Sequence, residues 1–476
     1  MPRKSALRSP DDSFMLGETG TMSRTSRTVF PGWDPAQDPA CDSERSWFNK
    51  GRMLYECWRQ IAQERRNEVA LRDLASGQFW TFGQLDRETE TPDRAAPAVY
   101  FPQGHSVEFV RAVLRAWRNN ASVSLLEPEA HPPSSLPALP ARWLLKSAAT
   151  PNAPDKVAFT EEQLAADARN IVEGMGLRAD WPNLGVVSLG YSYGFSNLIL
   201  PLLLHGIPLF LSPSPLPEIL RTAAQGQGAL TLPAVPALWH AWQKSGVILR
   251  NVRLAISAAA PMPLALELEV FKTHGLKIHN FYGASECGGI SYDATETPRA
   301  NEASVGRPLG GVQVAISPHK AIVVTSRAVG ETYWPDAFAT LKPGRFQTSD
   351  LGELKDGVVY LRGHAGDQIS IAGRKVSPTI IETKLRAHRS VGECLVFSVP
   401  TVDRDRKELI VACVVGNGAV QCEDLKQFLL SELPSWQVPR EWWFVKSLGV
   451  DARGRVSRAQ WRSKFLARQA RDQARS

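Results

Sequence analysis

The feature that most restricts the fold is an alternation of short apolar runs with helical patterns between residues 186 and 274. Residues 186–189, 208–211, 229–232 and 254–257 have strand length and composition. Residues 198–205, 234–243 and 264–274 repeat apolar side chains at helical spacing. Strands that alternate with helices predict a layered α/β domain with largely parallel sheets. Upstream, an amphipathic stretch carries Leu54, Trp58 and Ile61. It precedes strands over 69–73 and 79–81, a helix start at 82–85, a helix over 105–117 and a strand over 121–126. The Pro-rich residues 128–140 read as a surface connection. From 310 to 361 short strands are punctuated by Gly, Asp and Pro, which predicts a small β-rich module. After Gly363 a helix over 378–388, strands over 393–399 and 408–415 and a helix over 422–432 predict a compact α+β unit. The expected organisation is a disordered segment 1–45, a large domain 46–362 and a small mobile C-terminal domain 363–476 ending in a basic helix.

The 476 residues carry a formal net charge of +7. That charge is not evenly spread: residues 1–30 hold +2 and residues 451–476 hold +6, which leaves 31–450 at −1. A basic tail attracts phosphate or acidic partners. Trp461, Phe465 and Leu466 read as the buried side of a terminal helix and the arginines as its exposed side, so nucleic acid is not the expected partner. The six cysteines, at 41, 57, 287, 394, 413 and 422, include no CxxC pair, which argues against zinc or thioredoxin chemistry and for reduced thiols in the cytoplasm. The most apolar stretch, 198–211, is broken by Pro201, His205, Gly206 and Pro208. It is too short for a transmembrane segment, and the first thirty residues hold no secretory apolar core.

Four segments carry chemistry: Phe281-Tyr282-Gly283-Ala284-Ser285-Glu286, Thr348-Ser349-Asp350, Gly373-Arg374-Lys375-Val376-Ser377-Pro378 followed by Glu382, and Gly454-Arg455-Val456-Ser457-Arg458. In this order and spacing they resemble the adenylate-forming superfamily, which includes acyl-CoA synthetases, acyl-acyl-carrier-protein ligases, luciferases and adenylation domains. The resemblance covers about residues 50–466 and implies an ATP-dependent acid–thiol ligase. A carboxylic acid, fatty or aromatic, and ATP give an acyl-adenylate. The small domain then rotates about 363–366, and a thiol of CoA or of a phosphopantetheinyl carrier protein takes the acyl group.

The residue types suit that reaction, in which both reactants are anions and the site needs a cation, a magnesium ligand and a fixed adenosine. Glu286 is the candidate ligand for Mg²⁺, which takes few protein oxygens beside phosphate and water. Asp350 can accept from both ribose hydroxyls. Tyr282 can offer a ring face to adenine, with Gly283 permitting close approach. Ser285 can donate to a phosphate oxygen, although Ser-Glu by itself also reads as a helix cap with a first-turn acid. The resemblance implies an acyl pocket walled by Tyr191, Tyr193, Gly194, Ala258, Ala259, Ala260, Gly288 and Gly289, where aromatic core packing is the alternative for the tyrosines. It implies that Gly366, Gly373 and Lys375 serve the hinge and the thiol step. His279 reads as structural rather than as a base.

Three departures from the family pattern stand out. The phosphate loop, 146–156, has no Gly, so Ser147, Thr150 and Lys156 are its remaining phosphate contacts while added Cβ atoms and two prolines restrict it. His364 stands in place of the ribose-contacting Arg, and Gly366 in place of the hinge acid. Arg455 stands in place of the catalytic Lys, keeping the charge with a bulkier, forked geometry. These departures leave a second reading open, a non-catalytic homologue that binds a nucleotide, an acyl group or a carrier protein as an accessory subunit.

Overall fold

The computed structural model describes residues 54–90, 96–135, 137–148, 150, 153–371, 374–401, 408–416, 420–450 and 456–473. The segment 1–45 lies outside the described residues, as do Gly373, Arg453, Gly454 and Arg455; Lys375 is described by its backbone alone.

A nine-stranded sheet forms the centre. Six strands run parallel, in the spatial order Ile278–Ala284, Val252–Ser257, Leu230–Ala234, Asn183–Gly185, Leu209–Leu211 and Val69–Asp73. Antiparallel strands close both edges: Phe79–Thr81 on one side, Gly288–Tyr292 and then Arg307–Pro308 on the other. The central strands are apolar along most of their length and buried, as parallel strands covered on both faces must be. This is the layered α/β architecture that the alternation implies.

Helix Glu161–Met175 shows how the sequence builds a covering layer. Thr160 and Gln163 form a capping box, with Gln163 Oε1 accepting from Thr160 N at 2.9 Å, and Gly176 ends the helix at φ 63°. Leu164, Ala168, Ile171 and Met175 recur on its buried face. That helix packs against Leu200–His205 and against strand Gly288–Tyr292.

A second, five-stranded sheet contains Leu144–Ser147 and Lys156–Phe159 as an antiparallel pair. A third has Val312–Ile316, Ala321–Ser326, Leu341–Lys342, Arg345–Lys355 and Val358–His364, the β-rich module expected over 310–361.

Three elements differ from the sequence reading. The apolar run 186–189 is not a strand: the strand is Asn183–Gly185, Gly185 pairs with Leu211, and the chain then leaves the sheet with Val187 and Ser188 on a cavity wall. Within the β-rich module expected as short strands, one strand runs unbroken over Arg345–Lys355, because its polar half pairs with Ala321–Ser326 and carries Thr348-Ser349-Asp350 within the sheet. The helical run 198–205 is split, with a π-helical turn Phe195–Ile199 preceding Leu200–His205.

After the 3₁₀ turn Ala365–Asp367 comes an α+β unit. Val391–Pro400 pairs antiparallel with Glu408–Gly416, which pairs parallel with Glu441–Phe444 across helix Cys422–Glu432. Alternation along Val391–Pro400 sorts the core into two layers. Cys394 and Val396 face Ile381, Leu385, Leu425 and Leu429, while Leu395, Phe397 and Val399 belong to the cluster of Trp461 and Phe465. Within the terminal helix Arg458–Gln473, Trp461 and Phe465 are buried as expected, but Leu466 is exposed, one position round the helix from Phe465.

Arg458 fastens this unit. Its guanidinium meets both oxygens of Glu382 at 2.7 Å, Asp367 Oδ2 at 2.6 Å and the Val396 carbonyl at 3.1 Å. Removing one partner strands a largely buried charge. Arg458→Met should therefore cost about 2–3 kcal/mol in urea unfolding followed by tryptophan fluorescence. That is below the ~3–5 kcal/mol of a fully buried pair, because the Arg458 side chain is still 25% exposed.

Burial raises Glu161 from 4.5 to about 7, with Arg142 pulling it partly back. A carboxyl raised on folding stabilises the protonated form, so its contribution is complete below pH 4.5 and is lost as pH rises to about 7. Glu161→Gln should leave Tm little changed at pH 4.5 and raise it by about 2–4 °C at pH 8, read by a calorimetric pH series.

Candidate active site

The C-terminal ends of the central strands open onto a cavity of about 470 Å³. Its position follows from a change of direction in the sheet. Strand Ile278–Ala284 pairs parallel with Val252–Ser257, then the chain turns through Ser285-Glu286-Cys287 and returns antiparallel as Gly288–Tyr292. Ser285 and Glu286 thus stand in a hairpin turn at the cavity, and the helix-cap alternative does not apply.

Glu286 is 1% exposed. Its Oε1 accepts from Thr150 N at 2.9 Å, from Thr150 Oγ1 at 2.7 Å and from the Tyr333 hydroxyl at 3.3 Å. Burial, and then the Glu286 charge, push the Tyr333 phenol up to about 12, so it stays a donor. On another wall Tyr282 OH donates to Asp350 Oδ2 at 2.7 Å. Burial raises the Asp350 carboxyl, and the Tyr282 hydrogen bond and His364 oppose that rise. His364 lies opposite Asp350 in the ladder and lines the same cavity; its Nδ1 accepts from Gly366 N at 3.1 Å. Thr348 Oγ1 fixes the backbone by accepting from Asp350 N at 3.1 Å.

Two tyrosines and a set of small residues make the third wall. Tyr191, Tyr193, Gly194, Ala258, Ala259, Ala260, Gly288 and Gly289 all line the cavity, with Ala259 in the left-handed region at φ 68°. Tyr193 is held from both sides, donating to the Ala234 carbonyl at 3.4 Å with its ring 6.2 Å from Phe281, and burial raises its phenol. A Cβ on Gly194 would fall 2.0 Å from the Ser188 carbonyl oxygen, so only glycine lets the turn close.

The loop residues divide. Ser147 and Thr150 line the cavity, but both Thr150 donors point to Glu286. Lys156 does not line it: as first residue of Lys156–Phe159 it pairs with Ser147, and its amine donates to the Leu125 carbonyl at 3.1 Å and to Ser147 Oγ at 3.5 Å. Directly opposite residues of an antiparallel pair share a face, so the Lys156 amine meets the hydroxyl of Ser147, itself a cavity residue. Gly366 is exposed in the 3₁₀ turn, while Gly373 and Arg455 lie outside the described residues. His279 Nδ1 is 2.9 Å from the Asp293 carbonyl, and its ring stacks on Tyr292 at 5.5 Å, a structural placement in keeping with its expected role.

Sequence reasoning missed a buried ion pair beneath the cavity, Lys146 with Asp167. Its signal was an aspartate on the apolar face of helix Glu161–Met175, three residues after Leu164 and four before Ile171.

The donor set suits magnesium shared with phosphates rather than a metal held by protein alone. Glu286 is accompanied by hydroxyls of Ser147, Thr150 and Ser285, and among the described residues no three His, Cys, Asp or Glu converge to hold a metal ion.

The family model described as AMP-binding enzyme matches residues 154–334, and that of the AMP-binding enzyme C-terminal domain matches 380–455. The chain belongs to the adenylate-forming superfamily. Among curated relatives it is 26% identical over 298 residues to a long-chain-fatty-acid–CoA ligase of Bacillus subtilis (strain 168), covering 58% of this chain and 52% of that protein. It is 31% identical over 247 residues to a probable 2-succinylbenzoate–CoA ligase of Mycobacterium tuberculosis (strain ATCC 25618 / H37Rv), covering 50% of this chain and 58% of that protein. The matches thus span little more than half the length of these relatives. In fold it resembles the anthranilate CoA ligase AuaEII, solved in complex with anthranoyl-AMP, with a TM-score of 0.74, 18% identity and coverage of 87% of this chain and 97% of that one.

Gly288 has φ 68°, and a Cβ there would fall 1.9 Å from Asp167 Oδ1. Gly288→Ala should lower stability by about 2 kcal/mol or more in urea unfolding, through strain and a displaced carboxylate.

Proposed function

We propose that the protein activates a carboxylic acid with ATP and passes the acyl group to a thiol of CoA or of an acyl carrier protein. One observation carries this reading: a single cavity brings Glu286, the Tyr282–Asp350 pair and a wall of small residues together. The names of the relatives, ligases of fatty and aromatic acids to CoA, support it.

In this reading Asp350 accepts the ribose hydroxyls, with Tyr282 holding its carboxylate in place. Glu286 supplies one oxygen to Mg²⁺, which when bound neutralises phosphate charge. Ser147 and Ser285 donate to phosphate oxygens. Arg455 brings a cation between two anions, the acid and the α-phosphate. The carboxylate oxygen forms a bond to the α-phosphorus, the bond to the bridging oxygen breaks, and pyrophosphate leaves. Rotation of the C-terminal domain, 363–476, about 363–366 then admits the thiol. Its sulfur bonds to the acyl carbon, AMP departs and the thiol proton is released. Gly366 pivots there, and Gly373 and Lys375 serve the thiol step. The protein works in the cytoplasm, on no nucleic acid.

A second reading, an accessory subunit without adenylation activity, is favoured by the engagement of Thr150 with Glu286 and of Lys156 with Leu125, together with Arg455 in the Lys position.

Pyrophosphate exchange with ATP, Mg²⁺ and a panel of fatty and aromatic acids separates the two. Exchange is expected with at least one acid, and Glu286→Ala should reduce it by about 100-fold or more. No exchange in the native chain, with exchange appearing in Arg455→Lys, would establish the accessory reading instead.

A further inference from the structure

Lys146 and Asp167 are both wholly buried. Lys146 Nζ donates to Ser196 Oγ at 2.8 Å and to Asp167 Oδ2 at 3.3 Å, under the rings of Phe159 at 4.5 Å and Phe195 at 5.9 Å. Ser196 Oγ donates to Asp167 Oδ2 at 2.7 Å, and Gly289 N donates to Asp167 Oδ1 at 3.1 Å. Burial lowers the Lys146 amine and the Asp167 charge opposes that, with the Cys287 thiol also beside it.

Three chain segments that line the cavity therefore end on one pair. Lys146 precedes Ser147 on strand Leu144–Ser147. Ser196 belongs to the π-helical turn after Tyr193-Gly194. Gly289 follows the hairpin that carries Glu286. Ser147, Ser196, Gly288 and Gly289 all line the cavity. A buried ion pair is a poor way to gain stability, since an apolar pair of similar volume serves as well or better. Directional bonds to three chain segments are what an apolar pair cannot supply.

We infer that Lys146 and Asp167 are positioning residues, which fix the acyl-facing wall against the strand and turn that carry Ser147 and Glu286. The inference rests on the reading of the cavity as an acid-activating site.

The test compares Lys146→Met, Asp167→Asn and the double variant of the full chain. Each single change leaves an uncompensated buried group and lowers Tm, and the double change restores most of it. In the double variant the KM for an acid that the wild type activates should stay about tenfold or more above wild type, with the KM for ATP within about threefold. Recovery of the acid KM together with Tm would overturn the inference. Ser196→Ala keeps both charges but removes one hydrogen-bond partner from each; it should raise the acid KM by about threefold and lower Tm by less than either single charge variant; an unchanged acid KM there would also count against it. Hydrogen exchange without substrates gives an independent reading. Segments 192–197 and 287–290 should exchange faster in the double variant, with Val391–Pro400 unchanged. Wild-type exchange in both segments would overturn the inference. A wild type inactive with every acid defeats the proposed function, and the hydrogen-exchange result then decides this inference alone.

Discussion

The site depends on one strand with two kinds of neighbour. Ile278–Ala284 is the last of the parallel run, and its other edge takes an antiparallel partner. Parallel pairing sends its C-terminal end to the same rim as Asn183–Gly185, Leu230–Ala234 and Val252–Ser257. Antiparallel pairing with Gly288–Tyr292 forces an immediate reversal, so Ser285 and Glu286 have nowhere to go but the rim. The ends of parallel strands are where chain leaves the sheet and a crevice opens. Tyr282, three residues before the turn, then meets Asp350, which arrives from a different sheet.

Polar groups around this crevice are buried and bound to one another. Glu286 is tied to Thr150 and Tyr333, Asp350 to Tyr282 and Thr348, and Asp167 to Lys146, Ser196 and Gly289. Networks of this kind hold when every member is satisfied, because an unpaired group in a low-dielectric interior is costly. Glycines make the approach possible: at 288 a side chain would displace the Asp167 carboxylate, and at 194 it would meet the Ser188 carbonyl. The same economy appears in the C-terminal unit, where Arg458 pairs both with Glu382, a member of a separate sequence motif, and with Asp367.

Much of this was legible in the chain. The 186–274 alternation implied a parallel sheet, because strands apolar on both faces need helices on both sides. Tyr282, Glu286, Asp350 and the small-residue wall were singled out from their motifs and do line one cavity. Lys156 was singled out beside a phosphate loop, and only strand pairing decides that its amine meets the Leu125 carbonyl and the hydroxyl of cavity-lining Ser147. The run 186–189 was taken for a strand because apolar cavity-wall residues and apolar strand residues look alike in one dimension. Asp167 went unread because it lies on a helix and its partner on a strand of the second sheet.

By itself the sequence determined the layers, the order of strands and helices, and the identity of the charged and small residues that motif spacing brings together. Local spacing suffices for these, because periodicity decides which faces are apolar and turn residues decide where the chain breaks. Tertiary structure alone decided the pairings: Lys146 with Asp167, Glu382 with Arg458, Glu286 with Thr150 and Tyr333. Each joins segments remote along the chain. The distances that make such contacts a bond or nothing are set by how sheets and helices stack, which no local pattern encodes.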